Sequence, residues 1–94
     1  MTKTERTLTR AANIHWPESA ADLLLVYRAY HAAGRELSMW AAASICVLLT
    51  TPSARAESLQ DLRRRLPRST RSGPKAARAA VAEAALDRLA GRAA

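Results

Sequence analysis

Four prolines and three glycines punctuate this 94-residue chain, and they stand where helices begin or end. Pro17, Pro52 and Pro74 suit a first helical turn, because the ring fixes φ near the helical value and the missing N–H has no intrahelical partner there. Pro67 acts as a stop, since the residue before a proline is pushed out of the helical region. Gly34 and Gly91 offer left-handed terminators. These intervals predict helices over 17–33, 39–50, 53–65 and 74–90, with Ser38 as N-cap of the second and residues 67–73 as a loop. No stretch alternates apolar and polar side chains as a half-buried strand does. The expected fold class is all-α, a small bundle of about four helices.

The apolar material is thin and concentrated. Of 46 apolar residues 22 are alanine, there is no Phe, and 12 of the 17 Leu, Ile and Val residues lie within residues 23–66. A single helical domain over 14–94 is expected, preceded by a polar, Thr-rich arm over 1–13 that reads either as a flexible arm or as a marginal helix. A core this modest gains from self-association, so a homodimer is expected. In the first helix a 100° spacing puts Leu23, Tyr27, Tyr30 and His31 on one face; the 39–50 helix is apolar all round. Leu23, Tyr27, Tyr30, Met39 and Trp40 are therefore the expected interface residues, for a second copy or another protein. His31 is expected to pack within that apolar face.

Charge is distributed unevenly. Residues 1–61 carry six basic and six acidic side chains, whereas residues 62–94 carry nine basic and two acidic, so the whole net charge of +7 lies in the last third. The run over 63–78 holds Arg63, Arg64, Arg65, Arg68, Arg71, Lys75 and Arg78 with no acid among them. Lys75 and Arg78 fall where the last helix begins, the end at which the macrodipole favours negative charge. A bound anion reverses that penalty. First-turn N–H groups, guanidinium groups and the hydroxyls of Ser69, Thr70 and Ser72 are all suited to phosphate. An Arg-rich gene composition explains arginine over lysine, and a solvated hinge is the competing reading of the run.

The helices over 39–50 and 53–65, joined by a short Pro-containing turn, have the lengths of a helix-turn-helix. The layout resembles that of compact winged-helix repressors, but the turn has no glycine and no hairpin follows to make a wing. The resemblance is one of layout and carries no family assignment.

Other chemistry finds little to stand on. Cys46 is alone within an apolar run, and His15 and His31 are far from it in pattern, so no metal set is expected. No nucleophile–base or phosphate-loop motif is present, and no enzymatic activity or cofactor is expected. A short apolar stretch over 39–49 precludes a membrane span by length. An unpaired cysteine and the absence of an N-terminal signal peptide fit a cytoplasmic setting. Because all four aromatics (Trp16, Tyr27, Tyr30, Trp40) lie upstream of the basic run, phosphate contact to DNA is expected rather than RNA-style base stacking. The leading expectation is a small basic nucleic-acid-binding protein, regulatory or architectural; the alternative is a non-catalytic protein-interaction module (adaptor, inhibitor or assembly subunit) using the apolar faces of the first two helices.

Overall fold

The computed structural model describes residues 1–68 and 73–93. Among them the chain forms five α-helices and no strand: α1 (Lys3–His15), α2 (Ala20–Ala33), α3 (Arg35–Thr50), α4 (Arg55–Arg64) and α5 (Pro74–Ala93). Pro17 and Pro52 each open a one-turn 3₁₀ segment, Pro17–Ser19 and Pro52–Ala54, that leads into α2 and α4.

The expected count of four gives way to five because the polar arm is helical. Thr2 accepts a hydrogen bond from the Glu5 amide at 3.2 Å, and the Glu5 carboxylate accepts one from the Thr2 amide at 3.3 Å, a reciprocal capping box. That box satisfies two of the amide donors a helix start leaves open. Leu8 and Ala12 form the buried face of α1, a pattern faint in sequence because only one of the two is large.

The second junction also differs. Gly34 (φ 134°, ψ 166°) terminates α2 and starts α3 at once. The helix expected from residue 39 therefore begins at Arg35, and Ser38 donates its hydroxyl to the Arg35 carbonyl at 2.9 Å from within the helix, where an N-cap was expected. At the far end α5 runs through Gly91 to Ala93, so that glycine does not stop it.

Helix α2 lies at the centre, packed against α1, α3 and α5. It runs antiparallel to α5: Asp22 at its beginning meets Arg88 and Arg92, and Ala32 near its end faces Arg78. Leu23, Val26, Tyr27 and Tyr30 enter the core beside Ile45, Leu48, Leu62, Leu86 and Leu89. Tyr30 is fully buried and its hydroxyl donates to the Leu62 carbonyl, tying α2 to the end of α4. Burial pushes the Tyr30 phenol well above its ordinary range, with the Arg65 charge opposing it weakly. Trp16, between α1 and α2, is buried beneath the Arg55 guanidinium, 4.4 Å from the ring centre.

At the opposite end of the α2–α5 pair the Asp22 carboxylate accepts from Arg88 Nε at 3.0 Å and from Arg92 at 2.6 Å. Arg92 also reaches the Ser19 hydroxyl at 3.3 Å. Burial alone would raise the Asp22 carboxyl; hydrogen bonds and charge from Arg88 and Arg92 outweigh it and hold the group below the ordinary aspartate range.

Candidate nucleic-acid interface

The basic run divides into two groups once folded. Its first three arginines, at the end of α4, have intramolecular partners. Arg63 pairs with Asp87 of α5 at 2.5 Å, and Arg64 lies 3.4 Å from Asp61 one turn back. Arg65 covers the Trp40 ring, 4.6 Å from its centre. Arginine stacked on an aromatic face keeps its outer edge in water while shielding the ring.

Arg68, Lys75 and Arg78 form the second group. They line one depression floored by Ala29, Ala32 and Ala33 of α2, Pro67 and Ala79 of α5. All three are exposed, and none is paired with a carboxylate among the described residues. The first turn of α5 contains no acidic side chain, so its dipole and its cations present one sign of potential at this place. The carboxyl end of α2 reaches the same depression through Ala29, Ala32 and Ala33. Arg71, with the hydroxyls of Ser69, Thr70 and Ser72, lies outside the described residues.

Sequence reasoning missed the neighbours of this group. Arg78 also borders a hollow at the edge of α2 with Arg28, His31, Met1, Thr2 and Glu5. There the Glu5 carboxylate lies 3.6 Å from Arg28. His31, expected to be packed, is exposed beside them; its ring stands 6.0 Å from that of Tyr27, past the edge of the core. A count of helical turns places His31 near the apolar face but cannot tell that the covered sector of α2 stops at Tyr27 and Tyr30 and leaves the His31 ring outside it.

The residues expected at a protein interface separate as well. Leu23, Tyr27 and Tyr30 are buried in the protomer's own core and present no surface to a partner. Trp40 is half-buried between Tyr30, at 5.5 Å between ring centres, and Arg65. Met39 is exposed on α3, as are Cys46 and Val47. Among the described residues no group of three His, Cys, Asp or Glu side chains is placed to hold a metal. No single helix there is long and apolar enough to cross a membrane. Comparison with known proteins finds no family model, no curated protein and no solved structure that matches this chain.

Proposed function

We propose that this is a small nucleic-acid-binding protein that contacts phosphates of a DNA duplex through the amino end of α5. The observation that carries the reading is the convergence of Arg68, Lys75 and Arg78 on one depression without a carboxylate partner among the described residues. Arg71, between them in sequence, joins this group in the proposal. Arg63, Arg64 and Arg65 are secondary, since each has an internal partner to give up before it reaches a phosphate.

The helix-turn-helix idea takes a narrower form. Helices α3 and α4 meet at 120° across the Pro52–Ala54 turn, within the range of such motifs. The exposed side of α4, however, carries Glu57, Gln60 and Asp61, and two carboxylates facing a phosphate backbone are repelled by it. We assign the contact to α5, with α4 flanking.

Binding of a labelled duplex, followed by anisotropy at several salt concentrations, tests the reading. Each neutralised phosphate contributes about −0.9 to the slope of log K against log salt. The triple variant Arg68→Gln, Lys75→Gln, Arg78→Gln is expected to flatten the slope by about 2.7. Binding that ignores these three substitutions would remove the proposal.

The second reading is a protein-interaction module, favoured by one observation: Met39 and Val47 are 64% and 51% exposed on α3, flanking Cys46. Under it a protein partner is retained after nuclease treatment and lost on Met39→Glu, whereas the α5 substitutions leave it in place.

A further inference from the structure

Residues 1–61 are electrically neutral in sequence, with six basic and six acidic side chains. Folding does not keep that balance at the surface. Glu5 is only 7% exposed, its carboxylate turned back toward the Thr2 amide and Arg28. Asp22 is withdrawn to the same degree and held by Arg88 and Arg92. What α1 turns outward is Lys3, Arg6 and Arg10, all exposed and none paired with a carboxylate among the described residues.

At 3.6 residues per turn these three fall within a sector of about 60° along roughly 10 Å of helix. Met1 lies between this stripe and the α5 surface. Met1 borders the hollow that contains Arg28, His31 and Arg78, and it also borders the hollow that contains Arg6 and Arg10.

We infer that α1 is a second phosphate-contacting element, Lys3, Arg6 and Arg10 holding the same DNA duplex as Arg68, Lys75 and Arg78. The inference rests on the nucleic-acid reading above and adds to it a bipartite footprint. A duplex fits better than a single strand, because stacking on bases needs exposed aromatic faces. Here Trp16, Tyr27 and Tyr30 are buried and Trp40 is half-covered. It also fits better than an acidic membrane. An interfacial helix embeds a continuous apolar face, whereas α1 turns Leu8 and Ala12 into the core and leaves only Ile14 and the adjoining Met1 as large exposed apolar side chains.

Two triple variants separate the possibilities: Lys3→Gln, Arg6→Gln, Arg10→Gln in α1, and Arg68→Gln, Lys75→Gln, Arg78→Gln at α5. Glutamine keeps helix propensity close to that of lysine and arginine. Thermal melts verify folding, and the single variants Arg6→Gln and Arg10→Gln, each expected to remove about 0.9 of slope, serve if the triple unfolds. Six contacts predict a salt slope of about −5 for the wild-type chain on duplex, and each triple is expected to reduce its magnitude by about 2.7. If the α5 triple flattens the slope and the α1 triple does not, this inference falls and the nucleic-acid reading stands. If the wild-type chain binds no duplex at low salt, both fall. If the α1 triple leaves duplex binding intact but abolishes flotation with phosphatidylserine vesicles, the stripe is a membrane contact and the inference is overturned.

Discussion

Asp22 concentrates several of the forces that close the fold. Its carboxylate is buried yet receives two guanidinium groups from a helix that begins more than fifty residues later. Replacing it with asparagine removes the charge but keeps the volume, leaving Arg88 and Arg92 without an anionic partner. Hydrogen bonds to charged groups are worth about 1.5–3 kcal/mol, and both arginines are partly solvated, so Asp22→Asn is expected to cost about 2 kcal/mol. For a chain of this size each kcal/mol moves the melting temperature by about 4–8 °C, which a circular dichroism melt resolves. The pH dependence follows from the direction of the shift. The folded carboxyl titrates below its ordinary value of 3.8, so its stabilisation is fully present above that value and is lost as pH falls through the lower folded one. Wild type is therefore expected to lose stability relative to Asp22→Asn only on acidification below about 4. None of this was legible in sequence, because an aspartate in the first turn of a helix is ordinary dipole complementation wherever it occurs. The partners that bury it are remote, and no local pattern marks them.

At the scale of the elements, proline and glycine spacing located the middles of α2, α3, α4 and α5, though not the start of α3 or the end of α5, because those residues act through local sterics. The turns at Pro17 and Pro52 and the start at Pro74 need no knowledge of the rest of the chain. Helix α1 stayed undecided between a flexible arm and a marginal helix for the opposite reason. Its apolar face is one leucine and one alanine, and its stability comes from packing and from the Thr2–Glu5 cap; the Thr-x-x-Glu spacing was present in the sequence and is the signal that could have revealed it. Thr2→Ala is expected to cost about 1 kcal/mol and to increase amide exchange through the first turn of α1. Gly34 makes the stronger case. With φ 134° and ψ 166° it occupies a region essentially closed to other residues, although no atom beyond its own chain neighbours lies within 4 Å of where a Cβ would stand. Gly34→Ala thus meets no clash, and its cost of about 1–3 kcal/mol is purely backbone strain. An equal loss of stability in Gly34→Ala and Gly34→Ser, measured by urea unfolding, would identify that origin.

For the whole molecule, the sequence shows where positive charge is abundant but not where it is available. The asymmetry beyond residue 61 pointed to the α5 surface, and Arg68, Lys75 and Arg78 do converge there. It could not show that Arg63 is tied to Asp87, 24 residues on, or that Glu5 turns inward and leaves α1 cationic. Net charge is additive along a chain, whereas surface potential depends on which carboxylates folding removes. Asp87 puts that distinction to use. It is 65% exposed, so its ion pair with Arg63 contributes little to stability, about 0–1 kcal/mol. Arg63 lies along the α4–α5 groove with Arg68, within reach of the phosphates proposed to bind there. Asp87→Asn frees that guanidinium and deletes a carboxylate repelled by the same backbone. The variant is expected to bind duplex more tightly than wild type at low salt, with a slope steeper by up to about 0.9 and a melting temperature nearly unchanged. The double variant Asp87→Asn, Arg63→Gln should return the slope to the wild-type value, because the added phosphate contact, as distinct from the relief of repulsion, passes through that one arginine. A gain that survived in the double variant would instead reflect the lost carboxylate alone and would place the duplex along α5 without Arg63.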